Sequence, residues 1–363
     1  NYRVHQLTHE SERSLVYQGI CESSAKPVIF KMLRNPHPTS DDLAEFDRQY
    51  AIAQKLNDPR IIQHYRLESH RNRCVLILED FGGISLKDYL DLHQSPPGLS
   101  ISEFLSIAIQ ITDILEVLIR KRVIHRDIKP DNILIHPKTK EIKLIDFSLA
   151  SLLPKQQQVL QNLANLEGTL PYLSPEQTGR MNRTIDYRTD FYALGITFYE
   201  LLLGHLPFYA DEPIEWVHCH LAQHPVPPCE ANPEIPSTIS EIVLKLMAKN
   251  AEDRYQSAEG LKHDLERCLY RWKELETVFP FELGQQDIYH QFLIPEKLYG
   301  REVEVKTLLD AYTRVIGSRW YTPIDVCSEY DAIPDDIPDL IAELTTGDRP
   351  LISRKESHIS GSK

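Results

Sequence analysis

The chain has 363 residues, enough for two or three ordinary domains or for one two-lobed enzyme with appendages. An apolar fraction of 42% with 26% charged residues excludes a disordered or collagen-like chain and implies a packed core. Acids outnumber bases, 53 to 40, and the net charge of -13 offers no general attraction to phosphate backbones or anionic lipid, which argues against nucleic acid or membrane as a partner.

From Tyr2 to Leu78, short apolar segments (Val16 to Ile20, Pro27 to Leu33, Cys74 to Leu78) separated by polar loops predict strands. One helix interrupts them, Asp42 to Leu56, with Leu43, Phe46, Tyr50, Ala53 and Leu56 at three- and four-residue intervals. After Gly82 and Gly83 the pattern turns helical: Ser85 to Leu92, Ser102 to Lys121, Arg188 to Leu203, Pro213 to Ala222, Ser237 to Ala248 and Ser257 to Tyr270. The nearly apolar run Phe191 to Leu203 is too short for a bilayer and contains Glu200, so it reads as a buried helix. Residues 274–298 show no sustained period and form a linker, docked where Phe279, Phe281, Tyr289 and Phe292 find cover. Helical spacing returns from Gly300 to Val315, and the acidic, proline-spotted tail 320–363 is expected to be poorly ordered. Scattered cysteines without a CxxC pair fit reduced thiols, and the start lacks both an initiator Met and a signal pattern. Together these suggest a processed or clipped form of a soluble, cytoplasmic protein.

The densest chemical signal is His125-Arg126-Asp127-Ile128-Lys129-Pro130-Asp131-Asn132. Five fixed residue types at set spacing arise by chance in a chain of this length with a probability on the order of 10⁻⁴. Ile142 to Ile145 then runs, strand-like, into Asp146-Phe147-Ser148, bringing a second carboxylate near the first. Asn132 and Asp146 are hard oxygen donors suited to Mg²⁺, whose remaining positions phosphate and water fill.

Residues 2–272 resemble eukaryotic-type protein kinases. The resemblance rests on His125 through Asn132, Asp146-Phe147, Ser174-Pro175-Glu176, Asp190 through Gly195, and Arg254. It implies a bilobal α+β fold, with a small β lobe (1–81) containing one helix and a helical lobe (84–273). It also implies ATP- and Mg²⁺-dependent phosphorylation of protein serine or threonine in bacterial signal transduction. Asp127 would take or orient the substrate proton, Lys129 would meet charge on the transferred phosphoryl group, and Asn132 and Asp146 would hold Mg²⁺. Lys31, in Val28-Ile29-Phe30-Lys31, would meet the nucleotide phosphates. Adenine would lie between Val16 and Leu134, near Ile29 and the gatekeeper Leu78, against backbone groups of Glu79 and Phe81. A buried ion pair Glu176–Arg254 would brace the activation segment.

Four departures from the family pattern all touch nucleotide binding. His9, Ser11 and Ser14 stand where glycines form the phosphate loop, though serine hydroxyls and backbone amides could still face phosphate. Gln49 replaces the helix glutamate that pairs with the lysine; its neutral amide can hydrogen-bond Lys31 but not form the ion pair, and Glu45 could substitute only if the helix shifts. Ile29 crowds the adenine, and Ser148 stiffens the turn after Phe147. The alternative reading is therefore a pseudokinase acting as a nucleotide-sensing or scaffolding module. Residues 152–168 contain no hydroxyl, so phosphorylation there is unavailable as a switch, while Thr169 is expected to contact Asp127 and Lys129. Lys129, two positions after Asp127, resembles the Ser/Thr-directed pattern.

Phe281 to Gly284 and Leu298 to Glu302 resemble the junction in large bacterial, especially cyanobacterial, signalling proteins, where a kinase module precedes a P-loop ATPase and often a sensor histidine kinase. Residues 299–319 would be a remnant of the ATPase entry, since no Gly-x-x-x-x-Gly-Lys-Ser/Thr follows. Downstream ATPase or histidine kinase modules are thus possible partners beside the protein substrate.

Overall fold

A computed structural model describes residues 2–288 except positions 12, 36, 71–72, 93–96, 153–168 and 182. These belong to one compact unit, Asn1–Ile294; Pro295–Lys363 lies outside the described residues, as do Tyr289, Phe292 and the expected helix at 300–315.

The first lobe is an antiparallel sheet of β1 (Tyr2–Glu10), β2 (Ser14–Cys21), β3 (Lys26–Leu33), β4 (His64–His70) and β5 (Arg73–Glu79), in the order β1-β2-β3-β5-β4. β1 was not singled out from the sequence because nearly all of its side chains face water, leaving no inward apolar face to read. The helix α1 (Ser40–Leu56) begins two residues before the expected start. Thr39 sets that start: its hydroxyl accepts the Asp42 amide at 3.2 Å while the Asp42 carboxylate accepts the Thr39 amide at 2.8 Å. Phe46 of α1 packs with Cys74, Leu76 and Leu78 of β5, and Ile29, Leu43 and Tyr50 close around them.

The second lobe comprises β6 (Ile84–Ser85), α2 (Leu86–Leu92), α3 (Ile101–Arg120), β7 (Val123–Ile124), β8 (Ile133–Ile135), β9 (Ile142–Leu144), β10 (Ser151–Leu152), α4 (Arg188–Leu203), α5 (Pro213–Ala222), α6 (Pro228–Ala231), α7 (Ser237–Leu246) and α8 (Ala258–Leu275). Every residue of α4 is buried, as its apolar run predicts. Gly195 lets α7 close against it, because a Cβ there would stand 2.7 Å from Met247 Cγ and 2.9 Å from the Leu246 side chain. Behind the 80–83 connection the lobes are also tied by backbone: Ile62 N–H donates to Leu144 O and Leu144 N–H to Arg60 O, each at 3.0 Å.

Beyond α8 the chain folds back along that helix. Val278 is buried and Phe281 and Leu283 pack on the main core, but Phe279 is 59% exposed, against expectation. What docks at Phe279 is its carbonyl, which accepts from Arg271 at 2.9 Å.

The expected buried pair is present. Arg254 reaches both oxygens of Glu176, at 2.7 and 2.8 Å, and its remaining donors meet the carbonyls of Ala248, Arg188 and Lys249. Burial alone would raise the Glu176 carboxyl, but the Arg254 guanidinium outweighs it and holds the group below its ordinary value. Arg254→Met would strand that carboxylate, so an expected loss of about 3–5 kcal/mol should appear in urea unfolding at neutral pH. A loss under ~1 kcal/mol would show that the pair does not brace the lobe.

Candidate functional site

The loop after β7 is anchored from below by α4. The amides of His125 and Arg126 donate to the Asp190 carboxylate at 2.8 and 2.7 Å. Burial pushes the Asp190 carboxyl above its ordinary range, and the adjacent His125 and Arg126 offset this only in part. Arg126 sits at φ 69°, a conformation costly outside glycine and over-determined here by those two bonds.

Directly after it, Asp127 gathers three side chains. One carboxylate oxygen accepts from Asn132 Nδ2 at 2.7 Å and pairs with Lys129 Nζ at 2.9 Å. The other accepts the Thr169 amide at 3.3 Å and its hydroxyl at 3.0 Å, while Lys129 also donates to that hydroxyl. Thr169 thus lies where the sequence expects it, and a hydroxyl fits between a carboxylate and an ammonium. Asn132 O accepts from Ile145 N–H at 2.9 Å, which sets this group beside Asp146.

Next to this group, Lys31 of β3 pairs with Asp146 at 2.7 Å. Burial raises the Asp146 carboxyl, but the Lys31 charge and hydrogen bonds from Lys31 and Ser148 prevail, holding it at about 2. Asp146 has φ 59°, and the next residue, Phe147, is fully buried against His125 at 5.1 Å and His64 at 6.2 Å between ring centroids. The hydrogen bond to Lys31 that was open to Gln49 is not formed. Gln49 instead donates to Asp146 at 3.4 Å, and its buried Oε1 has no partner. A full carboxylate outcompetes a neutral amide for the lysine, and reversing the amide would set oxygen against oxygen. Glu45 is engaged elsewhere, 3.8 Å from Arg13.

The expected adenine residues sit on the elements around the hinge. Val16 on β2 is opposite Lys31, Ile29 on β3 is opposite Leu78 on β5, and Leu134 lies on β8. Glu79 is fixed by Lys143 at 2.6 Å and by the Gln63 amide at 3.1 Å, and Lys143 lies 5.1 Å from the centre of the Phe81 ring. Sequence reading missed Gln18, which donates to Asp80 at 2.8 Å and ties β2 to the hinge.

In place of a glycine loop stands a tight hairpin that satisfies itself. Ser11 N–H donates to Ser14 O at 2.9 Å, Ser14 N–H to Ser11 Oγ at 3.0 Å, and the two hydroxyls meet at 3.0 Å. The hydroxyls and amides of Ser11 and Ser14, among the groups expected to face phosphate, are therefore engaged with each other.

Sequence reading also missed His220 on α5. Its Nε2 meets the carbonyl of Leu170 at 2.8 Å, in the 3-10 turn Leu170–Tyr172, and its Nδ1 meets Tyr192 Oη at 3.1 Å. A carbonyl only accepts, so Nε2 carries the proton and Nδ1 accepts from the phenol. With Thr169 on Asp127 and Tyr172 on Glu200, the turn is held at three points.

With this geometry in place, comparison with known proteins defines the class. Residues 7–265 match the family model "Protein kinase domain", and the chain belongs to that family. It is 29% identical to a probable serine/threonine-protein kinase of Clostridium perfringens, over 73% of this chain and 38% of that protein. It is 33% identical to the serine/threonine-protein kinase PknB of Mycobacterium leprae, over 61% of this chain and 35% of that protein. It is 31% identical to hybrid signal transduction histidine kinase G of Dictyostelium discoideum, over 60% of this chain and 9% of that protein. The aligned region thus spans well under half the length of each relative.

Two outcomes are expected. Gln49→Glu adds a carboxylate beside Lys31 and Asp146, drawing the lysine away and leaving Asp146 free for a cation. Mg·ATP should then bind about 5-fold tighter, roughly 1 kcal/mol, by calorimetric titration; unchanged or weaker binding would refute the assignment. The second concerns pH. Burial lowers His64 and His220 to about 4 each, while in the unfolded chain they titrate near ~6.5. Between those values the unfolded chain binds more protons, so stability must fall as pH drops from ~6.5 toward 4. His220→Gln should flatten that slope by up to ~1.4 kcal/mol per pH unit, and an unchanged slope would exclude His220 from it.

Proposed function

We propose that this chain transfers the γ-phosphoryl group of ATP to serine or threonine of a protein substrate, with Mg²⁺, in bacterial signal transduction. The observation that carries this reading is the assembled set of Asp127, Lys129, Asn132 and a hydroxyl oxygen at hydrogen-bond distance from Asp127. A substrate hydroxyl in that position would pass its proton to Asp127 as its oxygen bonds to the γ-phosphorus and the bond to ADP breaks, while Lys129 offsets charge on the moving group. Asn132 and the ionised Asp146 fit as hard oxygen ligands for Mg²⁺, which when bound neutralises phosphate charge. Lys31 would hold the phosphates, with Val16, Ile29, Leu78 and Leu134 around adenine and backbone of Glu79 and Phe81 on its edge. The names of the Clostridium and Mycobacterium relatives support serine/threonine specificity, and that of the Dictyostelium relative supports coupling to histidine kinase modules. A cytoplasmic location belongs to the same reading; among the described residues no helix is long and apolar enough to cross a membrane.

A second reading, a pseudokinase that senses nucleotide or serves as a scaffold, is favoured by one observation, the self-satisfied Ser11–Ser14 hairpin. Asp127→Asn separates the two. Transfer of labelled phosphate to a generic protein substrate should fall ~100-fold or more, with Mg·ATP still raising the melting temperature. Equal transfer by parent and variant would remove Asp127 from the chemistry, and stabilisation of the parent without transfer would establish the second reading.

A further inference from the structure

Residues 278–287 lie beyond the range matched by the family model, and they are built into the lobe at both ends. At the near end Val278 is buried and Phe281 lies under two guanidinium groups, Arg267 at 4.1 Å and Arg271 at 5.2 Å from its ring centre. Farther on, the Gly284 amide donates at 2.7 Å to Asp264, a buried carboxylate that also accepts from Tyr255 Oη at 2.7 Å. Asp287 then takes three bonds at the start of α8: the amides of Gln256 at 2.8 Å and Ser257 at 2.7 Å, and the Ser257 hydroxyl at 2.7 Å.

An independent feature of α8 points to the same contact. Gly260 occupies its first turn, where glycine disfavours helix by about 1 kcal/mol relative to alanine. Its φ is ordinary, so no turn requires it. A Cβ there would stand 2.6 Å from both Cα and Cβ of Asp287. The missing side chain is what lets Asp287 seat.

The turn that Asp287 holds is the one carrying Arg254, whose guanidinium grips Glu176 on its other side. Gln256 adds two further links to the same region, accepting from Arg188 through its side chain at 2.9 Å and from Tyr187 Oη through its carbonyl at 2.8 Å. Glu176 follows closely on the Thr169 to Tyr172 segment that meets Asp127. We infer that Asp287 is a positioning residue for substrate docking. Residues 278–287 form a strap that holds the activation segment in place from across α8. Seated, the strap fixes the Arg254–Ser257 turn and, through the buried ion pair, the docking turn. Lifted, it lets both loosen while the nucleotide residues on the first lobe stay as they were. The carrier is a contiguous set of hydrogen bonds, half-buried at Asp287 and buried from Gln256 inward, and one buried ion pair, as a physical coupling requires.

This inference rests on the kinase reading for its kinetic consequence and not for its structural one, so the test has two arms, both on the full chain. In the kinetic arm, Asp287→Ala and Gly260→Ala should each raise KM for protein substrate about 5-fold or more, with KM for ATP within about 2-fold of the parent. Asp287→Asn, which keeps one acceptor, should recover part of the loss and serves in place of the alanine variant if that fails to fold. Unchanged KM for protein substrate in all three variants would overturn the inference. In the second arm, hydrogen–deuterium exchange is followed over residues 169–179, 256–264 and, as reference, 26–33. Faster exchange in the first two with the reference unchanged is expected. Faster exchange at 256–264 alone would confine the strap to a local role, and a rise in the reference as well would mean general loosening; either overturns it. If the parent transfers no phosphate, the kinase reading falls, and the exchange arm still decides on the strap.

Discussion

A buried carboxylate fixes the catalytic loop. Asp190 stands in the first turn of α4, the helix enclosed on all sides, and spends its oxygens on two consecutive backbone amides of the loop above. That is an unfavourable place for charge, and burial does raise its pKa, yet it satisfies two donors that would otherwise be buried without partners. The two bonds hold Arg126 in a left-handed conformation, and that bend delivers Asp127 to Lys129, Asn132 and Thr169. His125, fixed at its amide, reaches Ile145 O at 3.2 Å and packs on Phe147, which sets the strand end bearing Asp146. Both carboxylates of the site thus take their positions from a third that touches neither.

The parts of this arrangement legible in the sequence are those where chemistry restricts residue type at a fixed spacing. His125 through Asn132, Asp146, Glu176 and Arg254 were readable for that reason, and Thr169 followed from its place ahead of the docking turn. Helices with one continuous apolar face were also readable, with boundaries displaced where a cap decided them, as Thr39 did for α1. What sequence could not supply was the outcome of competition between neighbours. Spacing places Gln49 and Asp146 both near Lys31, but only the relative strength of an ion pair and a neutral hydrogen bond determines which one the lysine takes. The same holds for Ser11 and Ser14, whose groups could face a ligand or each other. For Phe279 and Phe281, composition could not tell which aromatic ring finds cover.

These local outcomes bear unequally on binding and on transfer. Asp127, Lys129, Asn132 and Thr169 are mutually satisfied around a hydroxyl oxygen, so a substrate hydroxyl would have only to take the place of that of Thr169. Around Lys31, among the described residues, no group stands in for a ligand, and the side chains are satisfied by one another. Lys31 and Asp146 neutralise each other at 2.7 Å, and the Ser11–Ser14 hairpin closes its own amides. On the kinase reading, Mg·ATP would have to exchange each of these contacts for one of comparable strength, so the net gain per contact would be small even where the final geometry is good. Gln49 shifts this balance further. As a neutral donor to Asp146 it supports the closed pair, and it brings no second carboxylate to draw the lysine away. On that reading, free energy would be lost where nucleotide enters more than where phosphate leaves. A kinase so arranged would be limited by occupancy of its nucleotide site, and the proposed strap over α8 would act on the other half, where Thr169 meets Asp127.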